Sequence, residues 1–395
     1  MDARERTGWV VAKAEELGFD LCGVAPPGRF PELGQMAEWL ERGHAGEMRY
    51  LHDPRRQSLD LALEGIRSVI VCAASYKTPE PLSTQALARP DAERPRGWIS
   101  RYGWGDDYHD VLLPRLRALV DAMRGAFGVD FRSRAYVDTG PVAERVAAKY
   151  AGLGWLGKNT CLINRNMGSW IFLGAVVTTL ELEPTLAEGQ PPPPDLCGSC
   201  RRCIDACPTG ALVEPYVLDA RRCIAYLTIE LRGPIPEEFR PAIGQMVFGC
   251  DICQDVCPWN GKAPLARLAE FRPRQLTSET RRGDSPCGDV PAAGHQAGDA
   301  RVGAAGEPDS LFAPELEWLA GLDETEYRRV FRKNPVKRAK WRGLVRNAAV
   351  ALGNSELTPA TRRRVAPLLE RLAASADPLI AEHARWALER MAANR

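Results

Sequence analysis

Eight of the twelve cysteines in this chain lie in two runs whose spacing leaves the local backbone few conformations. The first is Cys197, Cys200, Cys203 and Cys207 followed by Pro208, a C-x2-C-x2-C-x3-C-P run. The second is Cys250, Cys253 and Cys257 followed by Pro258, with Cys223 upstream as the missing fourth thiol. A C-x2-C-x2-C loop can wrap three thiolates around one [4Fe–4S] cube, and the trailing cysteine then points away. In two-cluster ferredoxins that cysteine ligates the other cube. The spacing therefore predicts that Cys197, Cys200, Cys203 and Cys257 hold one cluster, and that Cys207, Cys223, Cys250 and Cys253 hold the second. Zinc ribbons do not use the three-residue gap with a trailing proline. Such a pair of clusters moves single electrons, so the chain is expected to carry out redox chemistry.

The rest of the chain is ordinary by comparison. At 395 residues it is too long for one small core and should hold two or three domains. Its net charge of +1 gives no global field for nucleic acid, so any such interaction has to be local. The stretch from Met1 to Phe19 carries charges throughout, with Val10, Ala14 and Leu17 at helical spacing, which predicts an amphipathic helix and not a signal peptide. The longest apolar run, Ile171 to Leu180, suits a buried strand and is too short to span a bilayer. A cytoplasmic protein is expected, since a reducing compartment suits thiolate clusters. Cys22, Cys72, Cys161 and Cys287 default to buried or free thiols.

Residues 1–190 alternate strand-like and helix-like segments. Ser68 to Ala74 and Ile171 to Thr179 are β-rich, and a short run, Ala135 to Val137, ends at Asp138. Asp106 or Asp107 is placed to cap a helix whose Leu112, Leu116, Leu119, Met123 and Phe127 repeat at three to four residues. Pro141 is placed as the first residue of another helix, ending near Gly152 or Gly154. This pattern predicts an α/β or α+β domain. Pro191 to Pro194 form a stiff connector to a cysteine block over 191–265 that is too small to fold without its clusters. A linker covers 266–313, its stretch 281–310 nearly devoid of apolar residues. Residues 314–395 read as helices with apolar faces at Leu344, Val345, Ala348 and Leu352, at Val365, Leu368, Leu369 and Leu372, and at Ile380, Ala384, Ala387, Leu388 and Met391. Paired short helices of this kind suit HEAT-type repeats or a plain bundle.

Two further constellations bear on chemistry. Residues 328–346 contain nine Lys or Arg and no acid, interleaved with Phe331 and Trp341. Such a block suits a phosphate backbone, and equally a solvated helix face. Asp138 stands at a strand end before a Gly-Pro turn, a place for a functional acid and also for an ordinary helix cap, the latter favoured by position alone. The glycines of 152–157 lack phosphate-loop spacing, which argues against a nucleotide site. His109, alone near a helix start, reads as structural.

Taken together, the motifs resemble the epoxyqueuosine reductase family. The matching pieces are Gly46 to Leu51, Arg101 to Gly105 with Asp107 to His109, Val137 to Pro141, Gly154 to Thr160, Gly168 to Trp170, both cysteine runs, and Lys337 to Lys340 with Arg346-Asn347 and Leu352 to Asn354. The resemblance implies an α+β chain in three parts: an N-terminal α/β cobalamin-binding domain like that of reductive dehalogenases, a ferredoxin-like two-cluster domain, and a HEAT-like all-α domain that helps hold tRNA. The reaction it implies is reduction of the epoxide of epoxyqueuosine, at the wobble position of tRNA, to the alkene of queuosine. It also turns Asp138 from a cap into the expected proton donor, a carboxyl kept protonated in a water-poor pocket. Arg56, Arg101, Tyr102, Asp138, Asn159, Cys161, Ser169 and Asp251 are the cofactor-binding candidates it implies, and Lys337, Arg338, Lys340 and Arg346 the tRNA-binding ones. The expected partners are tRNA and a low-potential electron donor, with no membrane and a monomeric chain.

This chain departs from the family pattern at Glu64-Gly65, where a Pro-Gly is usual, and in the length of 281–310. Two other readings compete. A cobalamin reductive dehalogenase lacks support from any twin-arginine signal and gives the basic helical domain no use. An electron-transfer protein would need far less than the N-terminal domain.

Overall fold

The computed structural model describes residues 1–276 and 310–393. The 281–310 stretch and Cys287 thus lie outside the described residues, save Ser310. The chain divides into two compact units, each threaded more than once. The first takes Met1–Lys77, Asp107–Cys223 and Ile252–Phe271. The second takes Thr78–Asp106, Ile224–Asp251 and the described residues from Arg272 onward. These units do not follow the expected borders at 190, 265 and 313. The physical reason is that the cysteine loops have too little apolar surface for a core of their own. They borrow one: Trp259 packs edge-on against Trp155 with ring centroids 5.1 Å apart, and Phe271 lies 4.8 Å from Phe172.

In the first unit Ser68–Ser75 is buried along its whole length, which explains why its sequence shows no polar alternation. It lies between Leu21–Ala25 and Ile171–Thr178, and Ser133–Tyr136 completes the four-stranded sheet on the far side of Ile171–Thr178. All three pairings are antiparallel, so the architecture is α+β. The helix Tyr108–Phe127 starts where Asp107 accepts the His109 amide and ends at left-handed Gly128. Its Leu112, Leu116, Leu119 and Met123 are buried, each contributing about 1.5–3 kcal/mol of apolar burial. It lies so close to the sheet that a Cβ on Gly174 would come within 2.7 Å of Leu116. The helix expected from Pro141 begins later, as Glu144–Tyr150. The delay has a backbone cause: Asp138 has φ +56° and Ala143 has ψ 81°, neither compatible with a helix.

In the second unit the helices Lys340–Asn354, Pro359–Ala373 and Pro378–Ala393 carry the predicted apolar faces inward, with Leu368, Leu372 and Leu388 only partly buried. Thr358 caps the middle helix and Pro359 opens it. A Cβ on Gly353 would stand 2.8 Å from the Ala387 backbone, so glycine permits the close approach of the first and third helices. Asn347 joins them to the rest of the unit by donating to the carbonyls of Thr228 and Val247, each at 2.8 Å. Trp98–Ile99 pairs in parallel with Met246–Phe248, and Trp98 and Trp104 are fully buried with rings 5.4 Å apart. No helix among the described residues is long and apolar enough to cross a membrane.

Candidate active site and cluster-binding loops

Asp138 follows the strand Ser133–Tyr136 and is exposed. Its side chain caps nothing: the helix Glu144–Tyr150 has Ala143 at its N-cap and no side-chain cap bond. Instead Oδ2 accepts a hydrogen bond from the Tyr108 hydroxyl at 2.9 Å. Tyr108 is itself fixed by a parallel stack on Phe172, centroids 4.5 Å apart. The Asp138 amide donates to Glu144 Oε1 at 3.0 Å. Burial, and then the neighbouring Asp138 carboxylate, push the Glu144 carboxyl up to about 7, while Arg56 pulls it down. Arg56 lies with its guanidinium 5.9 Å from the Tyr50 ring centre, and its buried Nε has no hydrogen-bond partner. Asp138, Tyr108, Glu144 and Arg56 thus form one polar group at the end of the sheet. Tyr108 and Glu144 were not singled out by sequence. Only the position of Glu144, an acid opening a helix just after Asp138, could have hinted at its part.

The first unit also holds a cavity of about 280 Å³ lined by Cys197, Cys200, Cys203 and Cys257, with Lys158, Asn159, Trp259 and Leu196. These are the four thiols that spacing assigned to one cube, although Cys257 comes from the other cysteine run. No three His, Cys, Asp or Glu side chains among the described residues close around a single ion position. The thiols rim a cavity instead. Lys158 secures the loop by donating through Nζ to the carbonyls of Gly198 and Cys200, the latter at 3.0 Å. Asp195 accepts the Cys197 amide at 2.7 Å. Burial pushes the Cys197 thiol up, opposed by the Lys158 backbone and the Trp155 indole. The Trp155 indole N–H is buried beside this thiol. An anionic cluster fits such a setting, because it supplies acceptors for this N–H and displaces thiol protons. Cys207, at the next position of the run, accepts the Ala211 amide through Sγ at 3.2 Å.

The remaining candidates divide by burial. Asn159 faces the thiol cavity, donates to the Cys253 carbonyl at 3.3 Å and accepts the Cys161 amide at 3.3 Å. Burial pushes the Cys161 thiol up to about 11. Tyr102 packs on Phe248 with centroids 5.6 Å apart in the second unit.

Three cofactor candidates are instead committed to the protein interior. Arg101, 2% exposed, donates to the carbonyls of Thr78, Glu80 and Pro81. Asp251, 2% exposed, accepts from Trp98 Nε1, Ser100 Oγ and the Arg101 amide. Ser169, 4% exposed, is bonded to Asn260 and Gln254. For these residues any contact with a cofactor would fall to the loops they hold and to their backbone. Most of their polar side-chain atoms bond within the protein, and they shape the loops that neighbour them.

The basic block divides by burial too, with Arg346 inside. Its side chain is wholly buried and donates to the carbonyls of Leu227, Leu231 and Gly233 and to Asn347 Oδ1. It cannot reach a phosphate. Arg338 is exposed but paired at 2.8 Å through two nitrogens with Glu230, and Arg342 is paired with Asp377. Arg332, Lys333, Lys337 and Lys340 are exposed.

Residues 196–260 match the 4Fe-4S double cluster binding domain, and residues 56–139 match "Epoxyqueuosine reductase QueG, DUF1730". The chain is 40% identical to the epoxyqueuosine reductase of Gloeobacter violaceus over 355 residues, 88% of this chain and 95% of that protein. A crystal structure of epoxyqueuosine reductase with an epoxyqueuosine-modified tRNA-Tyr stem loop superposes with TM-score 0.77 and 28% identity, covering 98% of this chain and 90% of that one. Another, from Bacillus subtilis, has its aspartate-bearing catalytic loop swung out of the active site. It matches with TM-score 0.76 and 26% identity, over 98% of this chain and 90% of that one.

Proposed function

This chain belongs to the epoxyqueuosine reductase family, and from that premise we propose how its residues reduce epoxyqueuosine in tRNA to queuosine. The observation that carries the reading is Asp138. It lies in the matched segment 56–139, stands at a strand end, caps no helix, and is held by a tyrosine hydroxyl. The B. subtilis relative likewise carries an aspartate on its catalytic loop.

Converting the epoxide to an alkene and water takes two electrons and two protons, and both C–O bonds of the epoxide break. An oxygen leaving carbon without a proton is a poor leaving group, so a positioned acid lowers the barrier. Tyr108 occupies Oδ2 of Asp138, which leaves Oδ1 to present the proton. Cobalamin, when bound, supplies a reducing cobalt centre, and the two clusters supply single electrons. The cofactor's phosphate is a suitable partner for the orphaned Nε of Arg56. Cys197, Cys200, Cys203 and Cys257 would hold one cluster, and spacing assigns Cys207, Cys223, Cys250 and Cys253 to the other. Exposed Lys337, Arg338 and Lys340 are the residues proposed to meet tRNA phosphates. A low-potential donor of single electrons, a monomeric chain and a cytoplasmic setting complete the reading.

Family membership displaces the two competing readings, dehalogenation and simple electron transfer. An anaerobic assay with epoxyqueuosine-containing tRNA, with and without added cobalamin, tests the proposal. Queuosine formed only with cobalamin present supports it. A reconstituted protein that carries iron and sulfide but never retains cobalamin or converts the nucleoside would overturn it.

A further inference from the structure

We infer that Glu144 is the positioning residue for Asp138, holding the acid's backbone in the turn from which its carboxyl meets substrate. This rests on Asp138 being the proton donor. Three observations point to it. Asp138 has φ +56°, a left-handed conformation uncommon for residues with a Cβ, which aspartate tolerates better than most and which neighbouring contacts stabilise. One such contact is the bond from the Asp138 amide to Glu144 Oε1, at 3.0 Å. Glu144 in turn opens the helix Glu144–Tyr150, whose Val146, Ala147 and Ala148 are buried in the core of the sheet. The chain of contacts runs from a packed core through a short helix to one exposed turn. The same turn is tightly packed further on, where a Cβ placed on Gly140 would stand 2.3 Å from the Tyr136 ring.

A glutamate suits this place for a chemical reason. Its oxygen accepts the amide whether the carboxyl is ionised or neutral. Burial and the nearby Asp138 charge bring its pKa to about 7, so it can stand beside a second carboxylate without a fixed repulsion. Arg56 faces it with the opposite charge, and Tyr108 holds the Asp138 carboxyl from the other side.

The test compares Glu144→Ala, Glu144→Gln and Asp138→Asn in reconstituted holoenzyme. Glutamine keeps an oxygen able to accept the same N–H, and alanine does not. For Glu144→Ala, kcat should fall about tenfold or more while KM for the modified stem loop stays within about twofold. Glu144→Gln should retain kcat within about threefold. Amide hydrogen exchange over residues 137–143 should quicken in Glu144→Ala and not in Glu144→Gln. Wild-type kcat and exchange in Glu144→Ala, or a Glu144→Gln as slow as the alanine variant, would overturn the inference. Should Glu144→Ala lose its cluster absorbance, Glu144→Asp serves in its place: one methylene shorter, it should show the same quickened exchange, and unchanged exchange counts against Glu144. The proton-donor reading fails separately, on normal turnover by Asp138→Asn, whereas the exchange contrast reports on the turn whatever Asp138 does.

Discussion

The hydroxyl of Tyr108 donates to Oδ2 of Asp138 across 2.9 Å, joining the first turn of a twenty-residue helix to a turn thirty residues further along the chain. Removing the acid tests its role most directly. Asp138→Asn keeps the shape and an acceptor for Tyr108 but cannot give up a proton. Turnover is expected to fall about 10²–10⁴-fold, the usual worth of general acid catalysis, with cluster absorbance unchanged. Single-turnover product analysis is the measurement, and near-normal rates would refute the role.

Tyr108→Phe separates orientation from proton delivery. Phenylalanine preserves the stack on Phe172 and loses only the hydroxyl. A drop of about three- to tenfold in kcat is expected, since one neutral hydrogen bond contributes about 0.5–1.5 kcal/mol. A loss as deep as that of Asp138→Asn would show that Tyr108, and not Asp138, handles the proton.

The crossed ligand pattern predicts which cysteines act together. Cys257→Ser should alter the same cluster as Cys203→Ser, because both side chains rim one cavity. Cys253→Ser should alter the other, as Cys207→Ser does. Electron paramagnetic resonance of the reduced protein distinguishes the two clusters. Matching changes within a cysteine run, instead of across runs, would reject the crossing.

Arg346 and the exposed lysines should respond in opposite ways. Arg346→Met strands three carbonyls, that of Leu227 buried and those of Leu231 and Gly233 partly so, and is expected to cost about 2–3 kcal/mol of stability, read as a lower unfolding midpoint. It should leave the salt dependence of tRNA binding alone. Lys337→Ala with Lys340→Ala should instead flatten that dependence, by about 0.7–0.9 in slope for each lost phosphate contact. An unchanged slope returns the basic block to a solvated face.

His383 gives the second unit an acid limit. The ring is wholly buried, its Nε2 accepting the Ile235 amide at 3.0 Å, and burial pushes its pKa down to about 4. The unfolded chain, with histidine near 6.5, binds the proton first as pH falls. Stability is therefore complete above about pH 6.5 and erodes toward pH 4, by roughly 2 kcal/mol at pH 5. Urea midpoints at pH 7 and pH 5 measure this, and His383→Gln should shrink the difference. An equal difference in that variant would place the titrating group elsewhere.

What the sequence determined by itself was whatever depends on spacing along the chain. The cysteine runs, the buried strand Ser68–Ser75, the cap at Asp107 and the apolar faces of the C-terminal helices are short-range patterns, each set by local geometry or periodicity. Spacing puts Cys197, Cys200 and Cys203 on one loop, whereas tertiary folding brings Cys257 from the other run to the same cavity. Tertiary structure decided the rest. Arg346 looked like its basic neighbours until helix packing turned it toward the carbonyls of Leu227, Leu231 and Gly233. Arg101, Ser169 and Asp251 were drawn inward in the same manner. By position alone Asp138 could not be told from a helix cap; the start of the next helix at Glu144, with Tyr108 on the Asp138 carboxyl, shows that it caps none. A charge or an acid reads the same in sequence whether it faces water or a buried acceptor. Only the path of the backbone settles which, because burial and hydrogen-bond partners come from residues far away in the chain.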